Sequence, residues 1–194
     1  MARRILHDEY FLRAKREGYL ARSAYKLKEL HDKRRLFRKG DAVLDLGCAP
    51  GAWIQVALEH VGPNGVVVGV DLKPVEHPFP AHVHTLVADA FTLDPATLTG
   101  ASGRPFDVLL SDMAPNTSGS GDDLLSARLC RRVLALIPDL LRPGGHLAMK
   151  VLEGSDYPDL LREVRALFDD VKGFKPAASR SVSREIYIAA SGRR

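Results

Sequence analysis

The segment VLDLGCAPGAW at residues 43–53 predicts a buried strand that runs through a glycine-containing turn directly into a helix. Gly47 and Gly51 stand in this turn, where the missing Cβ atoms allow a ligand to approach the backbone. The segment lacks the GxGxxG spacing that packs a helix against a pyrophosphate, so a dinucleotide is the weaker candidate. We therefore expect a nucleotide-like ligand here, with an ordinary turn that binds nothing as the alternative.

Acidic residues end the next two predicted strands. VVVGVD at 66–71 ends in Asp71, 20 residues after Gly51, and VHTLVAD at 83–89 ends in Asp89. Parallel strands present their carboxyl ends at one edge of a sheet, which is where open α/β sheets bind ligands. Asp71 is placed to accept hydrogen bonds from both ribose hydroxyls of a nucleotide. Asp89 is placed to meet an adenine edge or, alternatively, to cap the turn that follows it.

The rest of the chain alternates between short apolar runs and helical stretches, as expected for crossover helices on a mostly parallel sheet. Residues 171–190 predict two strands, and the gap between them is too short for a parallel crossover, so we expect an antiparallel hairpin at the sheet edge. The fold class is therefore α/β, with a mostly parallel seven-stranded sheet and one antiparallel strand near the C-terminus. The other strand runs are AVLDL (42–46), FDVLLSD (106–112), HLAMKVL (146–152) and EIYIAA (185–190), and the helical stretches are 52–61, 122–141 and 159–168.

Positive charge is concentrated at the start of the chain. Residues 1–40 contain 13 basic and 5 acidic side chains, whereas residues 41–194 contain 15 and 19. The first segment is thus the natural docking place for RNA or DNA through phosphate neutralisation, with a merely solvated basic arm as the alternative. Within it, residues 19–37 predict a basic amphipathic helix. We expect residues 1–40 to pack on the same domain that residues 41–194 form.

Composition excludes several other classes of protein. A chain of 194 residues with 45% hydrophobic and 27% charged residues is expected to form one globular domain. Its apolar runs are too short to cross a bilayer and its start lacks a signal peptide, which favours a cytoplasmic protein. Two cysteines and scattered histidines provide neither a disulfide framework nor metal-ligand spacing, so we expect no metal. We also expect a monomer.

Five segments in order resemble the FtsJ/RrmJ (RlmE) family of ribosomal RNA ribose 2′-O-methyltransferases. The resemblance extends from about Arg22 to Ala189, with two departures: Ala52 in PGAW, where the family has PGGW, and Thr117 in NTSG, where it has NMSG. It implies a Rossmann-like methyltransferase fold with S-adenosyl-L-methionine as cofactor. The segments are RSAYKL (22–27), DLGCAPGAW (45–53), SDMAPNTSG (111–119), LRPGGHLAMKV (141–151) and SREIYI (183–188).

The resemblance also implies a catalytic Lys-Asp-Lys-Glu tetrad at Lys26, Asp112, Lys150 and Glu185, with Asp112 also bordering the cofactor. Independently, Asp112 and Lys150 each end an apolar strand at the predicted ligand edge, although structural ion pairs are the alternative. We expect Lys150 to be the general base; alternatively it stays charged and stabilises negative charge on the 2′-oxygen while Asp112 takes the proton. Lys26 would favour a neutral Lys150 and the two acids a charged one, so the sequence leaves its charge open.

Several other residues are candidates for the site, and the resemblance bears on one of them. It favours Trp53 beside the cofactor, with core packing as the alternative, and its indole N–H would then meet the cofactor or a buried carbonyl. Independently of the resemblance, the polar residues 116–119 are candidates for contact with the substrate nucleotide, with a mere connection between elements as the alternative. Arg180 and Arg184 are candidates for contact with phosphates, with side chains that only face solvent as the alternative. The implied substrate is a uridine of large-subunit ribosomal RNA, in an assembled subunit. A tRNA substrate and a non-catalytic ribosome-assembly factor remain as alternatives.

Overall fold

A computed structural model describes residues 9–115, 121–179 and 183–194. Its strands form one seven-stranded sheet in the order β3-β2-β1-β4-β5-β7-β6. Neighbouring strands from β3 to β5 are parallel, whereas β7 runs antiparallel to both β5 and β6. This confirms the α/β class and the antiparallel strand near the C-terminus. The strands are β1 Ala42–Leu46, β2 Val66–Asp71, β3 Val83–Val87, β4 Phe106–Ser111, β5 Leu141–Leu152, β6 Phe168–Phe174 and β7 Glu185–Arg193.

Helices cover both faces of the sheet, which explains why the central strands are apolar along their whole length. In β1, Val43 belongs to the core shared with α2 and α3, and the adjacent Leu44 belongs to the core shared with α4, α5 and α6. The chain therefore forms three layers, with ligand-accessible loops at the carboxyl edge of the sheet. The helices are α1 Glu9–Glu17, α2 Ala24–Arg34, α3 Ala52–Val61, α4 Pro95–Ser102, α5 Asp122–Leu140 and α6 Tyr157–Leu167.

The bounds predicted for the N-terminal helix, residues 19–37, are wrong. The helical part, α2, covers only residues 24–34, because Arg35 adopts a left-handed conformation with φ of 49° that ends it. Residues 9–17 form a separate helix, α1, which the sequence analysis did not predict. Leu27 and Leu30 of α2 are fully buried in the core with α3, so this helix is part of the packed structure.

Two other elements also differ from their predicted form. Strand β5 begins at Leu141, several residues before the predicted run, because its pairing with β4 shifts register between Phe106 and Val108. The short helix α4 was missed even though Asp94 caps it and Pro95 occupies its first turn. Among the described residues, no helix combines the length and the apolar character needed to span a membrane.

Candidate active site

A cavity of about 500 Å³ opens at the carboxyl edge of the sheet, between the loops that follow β1, β2, β3 and β4. Four of the predicted site residues line it: Gly47, Asp71, Asp89 and Asp112. The remaining lining is largely apolar and includes Phe91 and Met113. An apolar cavity of this size with a few converging polar groups is the usual form of a small-molecule site.

Gly47 is needed where the chain leaves β1. Its φ is +84°, and a Cβ on this residue would lie 2.9 Å from both the backbone nitrogen and the Cγ of Met113. A side chain at this position would therefore push the loop after β4 away from the cavity. The glycine keeps the loops after β1 and β4 close together along one wall of the site.

The structure places Gly51 and Trp53 behind the cavity lining. A Cβ on Gly51 would meet the Phe79 ring at 3.0 Å. Trp53 is 2% exposed, and its indole N–H donates to the Ser23 carbonyl at 2.9 Å. This is the buried-carbonyl arrangement that the sequence left open, and it fastens α3 to the start of α2. The cofactor contacts predicted for these two residues stay predictions.

The two acids at the strand ends hold their own loops as well as lining the cavity. Asp71 accepts hydrogen bonds from the backbone N–H groups of Ala49 and Lys73, both at 2.9 Å. Asp89 accepts one from the N–H of Phe91, also at 2.9 Å, which is the turn-capping alternative considered above. Each carboxylate oxygen can accept more than one hydrogen bond, so these contacts leave capacity for a ligand.

The four predicted tetrad residues converge beside the cavity. Lys150 Nζ lies 3.2 Å from Asp112 Oδ1 and donates to the Asp112 carbonyl, while Lys26 Nζ lies 2.8 Å from Glu185 Oε2. Both lysine side chains are only 8% exposed. A charged group that is this well shielded from water is stable only when it is paired, and each of the two lysines has an acidic partner.

The order of strands in the sheet explains this convergence. Lys150 on β5 is the register partner of Tyr187 on β7, and Leu152 is the partner of Glu185. On the other side of β5, Met149 pairs with Ser111, the residue before Asp112. Helix α2 then brings Lys26 over this part of the sheet. Residues far apart in sequence are thus assembled by the insertion of β7 between β5 and β6.

Tyr187 is a site residue that the sequence analysis did not single out, although it stands in the quoted segment SREIYI. Its hydroxyl donates to Asp112 Oδ1 at 2.6 Å, and its ring centroid lies 5.8 Å from Lys26 Nζ. Burial, and then the charge of Asp112, raise the pKa of Tyr187 well above its usual value. Tyr187 therefore stays protonated and holds the Asp112 carboxylate in place as a hydrogen-bond donor.

Glu185 carries a negative charge at neutral pH. Burial alone would raise the pKa of this carboxyl, but the hydrogen bond and charge of Lys26, together with the charge of Lys150, outweigh it and lower the pKa. Two lysines and two acids thus form one compact network beside the cavity.

Asp45 is a second residue near the cavity that the sequence did not single out. It is fully buried in β1, and neither carboxyl oxygen has a hydrogen-bond partner within the described part of the chain. Burial, followed by the charges of Asp112 and Asp71, raises the pKa of Asp45 well above its usual value of 3.8. The signal was an acid inside an otherwise apolar strand, VLDL.

Because folded Asp45 keeps its proton where an unfolded aspartate loses it, the free energy of unfolding falls as pH rises above about 4. The isosteric variant Asp45→Asn cannot ionise, so we expect it to unfold at a higher temperature than wild type near about pH 8, by about 2–4 °C for each ~1 kcal/mol gained. Near about pH 4 the two midpoints are expected to coincide. Thermal unfolding at both pH values checks this, and a lower midpoint of the variant at the alkaline pH would contradict it.

The residues predicted to contact RNA lie partly outside the residues that the structure describes. The polar loop Asn116, Thr117, Ser118 and Gly119, and also Arg180, lie outside the described residues. Arg184 is described and exposed, and its carbonyl accepts a hydrogen bond from Glu153 N at 2.8 Å. Within residues 9–115, 121–179 and 183–194, no group of three or more His, Cys, Asp or Glu side chains is arranged to hold a metal ion.

A mostly parallel seven-stranded sheet with an antiparallel β7, and acids at the ends of β2 and β3 that line a cavity, define an α/β methyltransferase. Sequence comparison narrows this class, since the FtsJ-like methyltransferase family matches residues 19–193. The chain belongs to that family, which confirms the resemblance seen in the five segments.

Similar proteins cover almost the whole chain. The ribosomal RNA large subunit methyltransferase E of Syntrophobacter fumaroxidans is 48% identical over 185 residues, which are 94% of either chain. The protein of the same name from Myxococcus xanthus is 43% identical over 193 residues, 96% of this chain and 89% of its own. A crystal structure from Plasmodium falciparum, described as a ribosomal RNA methyltransferase, has a TM-score of 0.77 at 29% identity and covers 90% of this chain and 98% of that one.

Proposed function

We propose that this methyltransferase transfers a methyl group from S-adenosyl-L-methionine to the ribose 2′-hydroxyl of a uridine in large-subunit ribosomal RNA, in the assembled subunit. The observation that carries the proposal is the network of Lys26, Asp112, Lys150 and Glu185 beside a cavity of nucleoside size. The relatives named ribosomal RNA large subunit methyltransferase E support the RNA substrate. The uridine and its 2′-oxygen rest on the resemblance to the family.

The cavity fits S-adenosyl-L-methionine in its chemistry. The carboxylate of Asp71 suits the two ribose hydroxyls and that of Asp89 suits the adenine amino group, while Phe91 and Met113 offer apolar contact to the base. When bound, S-adenosyl-L-methionine supplies a methyl group on a positively charged sulfur, which leaves as a neutral thioether when a hydroxyl oxygen takes the methyl group. The protein has to align that oxygen and remove its proton.

In the proposed mechanism, Lys150 gives up its own proton before the step and then accepts the proton of the 2′-hydroxyl at Nζ, which restores its ion pair with Asp112. Asp112, held by the Tyr187 hydroxyl, fixes the position of Lys150 through its carboxylate and its carbonyl. Lys26, whose Nζ lies 5.8 Å from the centre of the Tyr187 ring, is paired with Glu185, and this pair orients the ribose. This arrangement supplies a base and fixed charges in a site largely shielded from water.

The charge of the N-terminal segment supports an RNA substrate. Among the described residues of the basic segment, Lys26, Lys28, Arg13 and Arg34 form ion pairs with acids. Several other cations of the segment form no ion pair with a described acid: Lys15, Arg16, Lys33, Arg35, Arg38 and Lys39. Two of them have other contacts, since Lys33 lies 4.0 Å from the centre of the Phe174 ring and Lys39 donates to the Glu59 carbonyl. The surplus of positive charge in this segment is expected to attract RNA through its phosphates.

Radiolabelled methyl transfer tests the proposal directly. The labelled cofactor is mixed with the protein and free ribosomal RNA, large subunits from an unmethylated strain, or tRNA, and the product is identified by nucleoside analysis. We expect 2′-O-methyluridine on the unmethylated subunits and no label on subunits from a methylated strain, which serve as the control. Label on tRNA alone would contradict the proposed ribosomal RNA substrate. No label on any RNA would favour the non-catalytic assembly factor.

A further inference from the structure

Helix α1 turns an apolar and basic face away from the protein. Phe11 is 52% exposed and Leu12 is 49% exposed. The helical period of ~3.6 residues places Lys15 between these two side chains and Arg16 beside Leu12. These four residues, which we call the α1 platform, form one continuous outer face of the helix.

The opposite face of α1 is anchored next to the tetrad. Tyr10 and Ala14 pack in a small cluster with Tyr25, the residue before Lys26, and with Ala178. The Tyr25 hydroxyl donates to a Glu17 carboxylate oxygen at 2.9 Å, and the Arg13 guanidinium lies 4.6 Å from the centroid of the Tyr25 ring. The α1 platform is therefore a fixed surface near Lys26 and not a loose arm.

The cations of the platform are unengaged, in contrast to those on the anchored face. Arg13 is paired with Glu17 at 2.8 Å. The side chains of Lys15 and Arg16 form no ion pair or hydrogen bond with any other described residue, and the charge of Arg16 acts on Glu17 without such a contact. An exposed aromatic ring flanked by free cations matches single-stranded RNA, whose bases stack on aromatic rings and whose phosphates bind cations. Protein interfaces are also enriched in phenylalanine and arginine, so it is the lysine and the surplus of positive charge that favour RNA over a protein partner.

We infer that the α1 platform binds single-stranded RNA, with Phe11 stacked on an unpaired base and Lys15 and Arg16 at the neighbouring phosphates. This inference rests on the proposed function, since it adds a substrate-docking surface to the same enzyme. It also specifies the class of substrate segment: an unpaired stretch next to the modified nucleotide, because a stacked base has to be free of its own helix.

The test measures the affinity of the intact chain for a short single-stranded RNA, and for a duplex of equal length, at several salt concentrations. We expect Phe11→Ala to lower the affinity for the single strand about 5- to 150-fold. Its salt dependence should not change, because no charge is lost. The double variant Lys15→Gln/Arg16→Gln should instead reduce the slope of log affinity against log salt by about 1.4. Phe11→Trp should bind as tightly as wild type.

Two controls separate this effect from general damage. Arg165→Gln removes an exposed cation from α6, on the opposite face of the sheet, and should leave the affinity for the single strand unchanged. Thermal unfolding of Phe11→Ala should match wild type, because the side chain is exposed. Phe11→Leu keeps apolar bulk without a ring and should bind as weakly as Phe11→Ala. Wild-type affinity in either variant, or a wild-type chain that does not bind the single strand, would overturn the inference.

Methyl transfer distinguishes this failure from failure of the proposed function. If wild type methylates large subunits while Phe11→Ala binds RNA as tightly as wild type, only the docking inference is wrong. If wild type methylates no RNA while Phe11→Ala still lowers the affinity for the single strand, the proposed function fails and the α1 platform remains an RNA-binding surface.

Discussion

Replacing Lys150 with arginine is expected to reduce methyl transfer at least ~100-fold, the smallest contribution usual for general base catalysis. Arginine keeps the positive charge and the hydrogen-bonding capacity of lysine, but its guanidinium does not lose a proton at any ordinary pH. A base at this position is therefore abolished, whereas a purely electrostatic role of the charge beside Asp112 would survive in part. The substitution thus separates the two roles that the sequence left open for Lys150.

The measurement is single-turnover methyl transfer to large subunits at saturating cofactor, across a range of pH. Lys150→Ala is expected to be as inactive as Lys150→Arg, and both should bind S-adenosyl-L-methionine like wild type. Lys172→Arg, an exposed lysine on β6, is the matched control and should be fully active. A Lys150→Arg rate close to that of wild type would contradict the base role and transfer proton acceptance to Asp112.

The central sheet was predictable because each strand has a purely local signature. Runs such as AVLDL and VVVGVD are buried on both faces, so their composition alone predicts central parallel strands, and their bounds agree with β1 and β2. The bounds of α2 were not predictable in this way. A non-glycine residue, Arg35, takes the left-handed conformation that ends the helix, which no glycine signal marks.

The site, like the fold, was predictable only where a residue's position depends on local sequence. Asp71 and Asp89 could be placed at the ligand edge because the carboxyl end of a parallel strand is a local feature. The network around Tyr187 could not be derived from the residues themselves, since it depends on β7 entering the sheet between β5 and β6 and on α2 crossing that part of it. Only the family resemblance indicated that Lys26 and Glu185 belong together, and it said nothing of the Asp112 contact to Tyr187.

Lys26→Met is expected to lower the free energy of unfolding by ~2–4 kcal/mol at neutral pH, because it leaves the partly buried Glu185 charge without its hydrogen-bonded partner. The deficit should shrink on acidification. In wild type the lowered pKa of Glu185 means that its stabilising contribution is present at neutral pH and lost as pH falls below about 4.5. Without Lys26, the burial that favours the neutral acid dominates, so protonation of Glu185 reduces the loss of stability in the variant.

A matched surface pair provides the control for stability. Arg194 lies 2.9 Å from Asp169, but the two side chains are 56% and 70% exposed. Arg194→Met should therefore change the free energy of unfolding by less than ~1 kcal/mol at any pH, as is usual for exposed pairs. Urea unfolding of both variants near about pH 7 and about pH 4 measures the difference.

The double variant Lys26→Met/Glu185→Met separates stability from catalysis. Replacing both partners of a buried ion pair with apolar side chains of similar size is often neutral for stability, so the double variant should recover most of the loss seen in Lys26→Met. Its methyl transfer should nevertheless remain about 100-fold or more below wild type, because the fixed charges that orient the ribose are gone. Recovery of both stability and methyl transfer would show that Lys26 and Glu185 form a structural ion pair, with the chemistry left to Lys150 and Asp112 alone.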